Sequence, residues 1–574
     1  MKNFAPFAAP LDSDPSLSPM RGLIERFATD ARDIETYFDL ESSENDLDHI
    51  IDFYRQWQKR LSSADFDALD LDDQIDFHLL HTHLQSSILR RERKRGQLET
   101  VQPFLPFRRE IIGLLESRRE KCPISPREIA QTLSQISRAA DSLQKKQTAA
   151  EADQISAATR LAALRSIKIL KSLTERLSQW NDFYQPYDPG FAWWTAQPFE
   201  ECRKSLESYQ TRLAETYLGS AIESDQILVG EPLGRDALLQ DLACEWIPYT
   251  PEELIQIAQK EYDWCERQMI QASRDLGFDD DWKRALDHTC RQHLNPGEQP
   301  ELIRNLAEEA IAWVVERDMI TLPPWCAEGW EMTMMSAEKQ KINPYFLGGQ
   351  TIYISFPTAS MSQTEKATSL RGNNIHFCRA TVHHELIPGH HLQLFMSERY
   401  RKHRKLFTTP FLIEGWALHW EFLLWDQGFA QSPENRIGML FWRMHRCARV
   451  IFSLKFHLGE MDAEEAVQFL IDRVGHEPGI ARAEMRRSIS DAYPPLYQAA
   501  YLLGALQMQA MYSEFVENGI MSAKQFHDAV LRQNAIPLEL MRAALSGQSP
   551  DRDATPEWRF YPFNRTASSE QTSE

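Results

Sequence analysis

The segment Thr381-Val-His-His-Glu-Leu-Ile-Pro-Gly-His-His-Leu-Gln393 places His383, His384, His390 and His391 beside Glu385 and a Pro388-Gly389 pair. No other stretch of the chain is as dense in groups that bind a metal or move a proton. A His-Glu pair followed within a turn or two by another His is the core of the H-E-x-x-H pattern of zinc hydrolases. There, two imidazoles hold the metal and the glutamate is the general base. Here the fourth residue after His384 is Pro388, which offers no ligand atom. Proline also lacks the N–H that a helix would direct at the His384 carbonyl, and its ring crowds that carbonyl. Gly389 adds backbone freedom, so the helix is expected to bulge or kink. On an unbroken helix His391 would share the face of His384 but lie about 10 Å along the axis. Ligands about 2 Å from one ion cannot stand so far apart. A two-residue bulge that returns His390 to His384 is the simpler solution. His384 and His390 are the expected ligands, His391 is the rival for the second place, and Glu385 is the expected base. The bland alternative is a polar helix end capped by histidines. It accounts for adjacent imidazoles, but not for a glutamate and a Pro-Gly pair in the same turn.

Two histidines need a third protein ligand and an open position for water. Downstream lies Ile413-Glu-Gly-Trp-Ala-Leu-His-Trp-Glu421. Glu414 and Glu421 are seven apart and share a helix face. Gly415 and Ala417 are small enough to let this helix approach another closely. Carboxylates on a Trp-rich, apolar helix are costly to bury unpaired, and a metal removes that cost. Glu414 is the expected third ligand. Glu421 is expected to receive a ligand imidazole N–H.

The elements that must carry these groups read as mainly helical. With 574 residues the chain can bury a large core, and 43% hydrophobic and 25% charged residues are ordinary for a globular protein. The formal charge of −20 argues against nucleic acid or anionic membrane as partners. The start of the chain has no long apolar run, which predicts neither signal peptide nor membrane span. Eight scattered cysteines without a C-x-x-C pair fit reduced thiols and a cytoplasmic location.

Residues 1–18 are expected to wrap the surface. Helical patterning follows over residues 23–115. Ser125-Pro-Arg-Glu128 and Thr250-Pro-Glu-Glu253 carry capping-box signals, and Leu254, Ile257, Ala258, Tyr262, Cys265 and Met269 then recur at helical spacing as core. The aromatics of residues 184–194 read as a loop or hairpin packed on the body, 226–230 as a short strand and 301–318 as an amphipathic helix. Gly348-Gly-Gln-Thr-Ile-Tyr-Ile-Ser-Phe-Pro357 has strand composition. It would serve either to pair with an extended substrate or to shield the core. Beyond residue 359 the chain reads as helix after helix, with N-terminal signals at Ser432-Pro-Glu and Asp462-Ala-Glu-Glu465. The expected architecture is one helical body over 1–574 with a cleft and a small sheet near the metal. Within it, 1–245 forms a helical wall, 246–563 the metal-site region and 564–574 a disordered tail.

The run His384-Glu-Leu-Ile-Pro-Gly-His-His-Leu-Gln393 resembles the signature of a bacterial family catalogued as domain of unknown function 885. Glu414-Gly-Trp-Ala, Arg446-Cys-Ala-Arg449 with His457-Leu-Gly459, Pro495 with Tyr501 and Gly504, and Thr250-Pro-Glu-Glu-Leu-Ile are similar to it as well. The resemblance covers most of the chain. Ser453-Leu-Lys-Phe before His457 departs from the family pattern. The family in turn resembles the gluzincin metallopeptidases, helical enzymes with a His, His, Glu zinc site in a cleft. That resemblance implies a metal at His384, His390 and Glu414 and a base at Glu385. It raises Tyr501 as the donor to an oxyanion, with Tyr497 one turn earlier as the alternative and His457 as a second donor. Arg446 and Arg449 would pair with a substrate carboxylate or with local acids such as Glu460, and the structural role is favoured.

The function this predicts is a metal-dependent hydrolase of peptide or other amide bonds. It would use one divalent ion, zinc by its ligand set, on short peptides or small amides. Two alternatives stand beside it: a metalloenzyme acting on a specialised non-peptide molecule, and a non-catalytic binding protein on a peptidase-like scaffold.

Overall fold

The computed structural model describes residues 18–146, 155–219, 228, 230–342, 345–489 and 493–562. The expected surface wrap of residues 1–18, the 226–230 strand and the 564–574 tail fall wholly or largely outside them. The fold is mainly helical, at 72% helix, with one small parallel sheet, so the sheet is a local device rather than the scaffold. By internal contacts the chain divides into two compact units. One is built on Gly22–Ala64 and Leu84–Val229, the other on Ser16–Arg21, Asp65–His83 and Gly230–Glu574.

In the first unit, long helices span Pro126–Lys146, Ala157–Tyr184 and Pro189–Leu218. Leu133, Ile136, Leu170, Leu177, Leu206 and Leu213 close a core between them, each worth roughly 1.5–3 kcal/mol when fully buried. Residues 184–194 are not the loop expected. Asp188 accepts the N–H groups of Gly190 and Phe191, and Pro189 opens a helix at once. That is an N-cap followed by proline in the first turn. Phe191 packs on Trp180, but Tyr187 is 84% and Trp193 85% exposed, so the aromatics are only partly packed.

The second unit holds the histidine segment. Its helix Pro251–Asp275 opens with the capping box read from Thr250 and Glu253, and its six periodic apolar residues are buried. The amphipathic stretch 301–318 is the helix Gln299–Glu316. Strands β1 (Glu331–Met334) and β2 (Thr351–Ile354) pair in parallel, Glu331 opposite Thr351. Six helices then build the site: α1 (Ile375–Glu385), α2 (His390–Ser397), α3 (Pro410–Asp426), α4 (Pro433–Leu458), α5 (Pro478–Ile489) and α6 (Tyr497–Tyr512). Ser432 caps α4 by accepting the Asn435 N–H. No described helix is long and apolar enough to cross a membrane.

Candidate metal centre

Helix α1 starts where the Asn374 side chain accepts the N–H groups of His376 and Phe377. It stops at Glu385 because Pro388 cannot continue the ladder. The chain then turns. Gly389 N–H donates to His383 O, and His391 N–H donates to Leu386 O. A Cβ on Gly389 would lie 1.8 Å from the His384 carbonyl oxygen, so only glycine passes here. From α3, Trp416 Nε1–H donates to Pro388 O at 2.9 Å and pins the turn. The expected bulge within one helix is therefore a full break between two helices. Its effect is the one expected: His390 returns to His384, ring centroids 4.9 Å apart and nearly perpendicular.

Glu414 of α3 completes the group. His390 Nε2 stands 3.2 Å and His384 Nε2 3.7 Å from Glu414 Oε2. One ligand atom from each of the three residues lies within 4.8 Å of the others. Tetrahedral ligands about 2.0–2.1 Å from one ion stand about 3.3 Å apart, so these side chains can hold a divalent cation with small adjustments. His391 is not available: its Nδ1 faces Gly349 O at 3.1 Å and its Nε2 faces Cys326 O at 3.0 Å. The geometry selects His390 over its rival. His383 turns away, with Nδ1 2.9 Å from Arg379 O and its ring against Phe429.

Neighbouring groups hold these side chains. His384 Nδ1 is 2.7 Å from Glu421 Oε1. That orients the ring, with Nδ1 on Glu421 and Nε2 turned toward Glu414. Tyr497 O–H donates a short hydrogen bond to Glu414 Oε1. Helices α3 and α6 meet backbone to backbone, because a Cβ on Gly504 would lie 1.8 Å from Phe411 O and one on Gly415 2.5 Å from the Gly504 carbonyl carbon. That close approach brings Tyr497 to Glu414. Tyr501 stacks on His384 at 6.3 Å. Its hydroxyl has no hydrogen-bond partner among the described residues.

The electrostatics follow the geometry. Burial disfavours charge on His384, but hydrogen bonds to Glu414 and Glu421 outweigh it and lift the imidazole to about 9. Burial pushes the Glu414 carboxyl up, and His390 and His384 outweigh that to hold it well below the usual range. A proton and a metal ion would compete for the same lone pairs here. Glu385 differs. Burial raises its pKa, and the nearby imidazoles do not fully offset this.

His384, Glu385, His390, Glu414, Tyr497 and Tyr501, but not Glu421, line a cavity of about 360 Å³, with Gly348 and Tyr353 from the β2 side. A Cβ on Gly348 would lie 2.3 Å from Glu385 Oε2, so glycine is what lets the loop reach the glutamate. The strand is beside the site, but Leu347 already pairs with Tyr353, each N–H donating to the other's carbonyl. Arg446, Arg449 and Arg487 line the same cavity. Arg449 pairs with Glu484 through Nε at 2.7 Å and Nη2 at 2.6 Å, not with Glu460. His457 does not line the cavity. It lies eleven residues beyond Arg446 on α4, about 16 Å along the axis, and its Nδ1 accepts the Leu233 N–H at 3.3 Å. Burial alone drives it down to about 4. Sequence reasoning missed Gly348, Glu484 and Arg487. Only the basic pair Arg486-Arg487 at the end of α5 hinted at the last.

Among solved structures, the chain is similar to a candidate lipoprotein of unknown function from Shewanella oneidensis. The match has 16% identity and TM-score 0.64, and covers 92% of this chain and 100% of the other. It is also similar to a candidate lipoprotein from Colwellia psychrerythraea, with 14% identity, TM-score 0.57, and 92% and 99% coverage. Both show a shared fold. No functionally curated protein matches the chain. The family profile that matches, over residues 35–545, is described as bacterial protein of unknown function, DUF885, and the chain belongs to that family.

Proposed function

We propose that this chain is a zinc-dependent hydrolase of peptide or other amide bonds, of the gluzincin kind. One observation carries the reading: two imidazoles and a carboxylate converge, buried, on a cavity that a fourth group, Glu385, also lines. His384, His390 and Glu414 would hold a divalent cation, which would supply a Lewis acid for a water and a carbonyl in the cavity. Glu385 takes the proton of the attacking water and delivers it to the leaving amine, and its raised pKa suits both transfers. The Tyr501 hydroxyl donates to the developing oxyanion. Glu421 and Tyr497 hold His384 and Glu414 in place.

The size of the cavity favours small substrates, short peptides or non-peptide amides alike. A non-catalytic scaffold would have no use for a glutamate admitted to the cavity by a glycine. The compartment we propose is the cytoplasm, supported by eight cysteines with no disulfide among them. The two solved relatives are described as candidate lipoproteins, which reads instead as the envelope, and cell fractionation decides between them.

The test is hydrolysis of a panel of short peptides and small amides by zinc-loaded protein. Glu385→Gln should keep the zinc and lose about 10²–10⁴-fold in rate, the usual worth of a general base. Full activity in that variant would remove the mechanism.

A further inference from the structure

The cavity wall opposite in charge to the ligand group holds a guanidinium, Arg446, that no described residue hydrogen-bonds and that Glu421 meets only at ion-pair distance. Arg446 is 4% exposed. It makes no hydrogen bond to any described residue, and its Nε is buried without a partner. The nearest carboxylate oxygen, Glu421 Oε1, is 3.7 Å away and already receives His384 at 2.7 Å. The guanidinium rests instead on aromatic faces, 4.8 Å from the Trp442 centroid and 5.3 Å from that of Tyr501. Arg449, three residues on, shows what a structural arginine does here: its Nε–H donates to Glu484 at 2.7 Å and its Nη2 stands 2.6 Å from the same carboxylate oxygen. Five donors in a fixed fork match a carboxylate, and this fork lines the cavity with donors to spare.

We propose that Arg446 binds the free carboxylate of the substrate. The substrate class is then dipeptides and N-acyl amino acids, cut at the amide next to the carboxylate-bearing carbon. This rests on the hydrolase reading. In such a molecule the carboxylate carbon lies less than about 4 Å from the scissile carbonyl carbon. Tyr501 packs against both groups, its ring 6.3 Å from the His384 centroid and 5.3 Å from the Arg446 guanidinium, so the two stand on one side of the same cavity. The cavity of about 360 Å³ suits a ligand of this size. In the reaction the water oxygen bonds to the acyl carbon and the C–N bond breaks. A water proton passes to the leaving nitrogen, and a carboxylic acid and a free amino acid result.

The experiment is calorimetric binding to chelator-treated protein, so that recognition is read apart from turnover. N-acetylglycine, N-acetyl-L-leucine, N-acetyl-L-phenylalanine and glycyl-L-leucine are each compared with their C-terminal amides. The acids should bind about 10- to 100-fold tighter, the worth of a charge-assisted pair. Arg446→Gln should erase that preference and Arg446→Lys keep part of it, while both take up zinc like the parent protein. Equal affinity for acids and amides, no binding of any acid, or full preference in Arg446→Gln would overturn the proposal. So would a loss of zinc uptake in Arg446→Gln with both ligand types weakened alike, because that is the mark of a residue that merely positions Glu421 and His384. Selective binding of acids without hydrolysis of any amide would sink the hydrolase reading and leave the carboxylate site standing.

Discussion

Helix α3 carries buried polar groups on two faces, and they have different fates. Glu414 lines the cavity and meets His390, and Glu421, on the same face behind it, meets His384. His419, about 140° around the helix from Glu414, faces the opposite way and meets His527, Nε2 to Nε2 at 3.2 Å. That second pair lies among Trp416, Trp420 and Tyr512, with His527 Nδ1 2.8 Å from Met319 O. Burial alone drives His527 down to about 4, and burial with the neighbouring His527 keeps His419 well below its usual value. The cavity-facing His384 is instead lifted by carboxylates. Histidine content is thus no guide to a metal site in this fold. What separates the two faces is paired carboxylates and access to a cavity, and among the described residues no other group of three such side chains comes so close together.

The comparison can be sharpened by variants on each side. After Glu385→Gln, the largest effect expected is at Tyr497. Tyr497→Phe leaves Glu414 Oε1 without its donor and should weaken zinc binding about 10- to 100-fold, the usual worth of a supporting hydrogen bond. Competition with a zinc chelator measures it, and an unchanged affinity would separate Tyr497 from the site. Gly504→Ala tests the approach of α6 to α3. A methyl 1.8 Å from Phe411 O must push the helices apart, at a cost of about 1–3 kcal/mol or more, read by denaturant unfolding. Smallest is the acid response of the other face. His527 titrates near 4 when folded and near 6.5 when unfolded. Its contribution is complete above pH 6.5 and is lost as pH falls toward 4, by up to about 1.4 kcal/mol per unit. His527→Gln should flatten the fall in unfolding free energy over that window, and an identical pH profile would contradict its buried, neutral state.

Much of the site was legible because its chemistry is local in sequence. His384, Glu385 and His390 sit in one turn-and-break, and Glu414 with Glu421 at one helical repeat. The choice of His390 over His391 needed the break itself, since two adjacent imidazoles cannot be told apart until the turn aims one at Glu414 and the other at backbone carbonyls. Tyr497 and Tyr501 lie one turn apart on one face, so spacing could not say which would hold Glu414 and which would stack on His384. His457 misled because a histidine late in a long helix carries no sign of which surroundings it will meet. The arginines were visible, but their partners Glu421 and Glu484 lie on other helices and no local pattern links them. In the first unit, the crowd of aromatics masked the cap-and-proline signal of Asp188-Pro189.

The central claim is that one face of α3 holds a metal and the other does not. Its most direct measurement is zinc per chain by mass spectrometry after zinc loading and dialysis, for the parent protein, His384→Ala and His419→Ala. We expect about one zinc per chain in the parent and in His419→Ala, and none in His384→Ala. No zinc in the parent, or equal zinc in His384→Ala, would contradict the account and leave the histidine segment as a feature of packing alone.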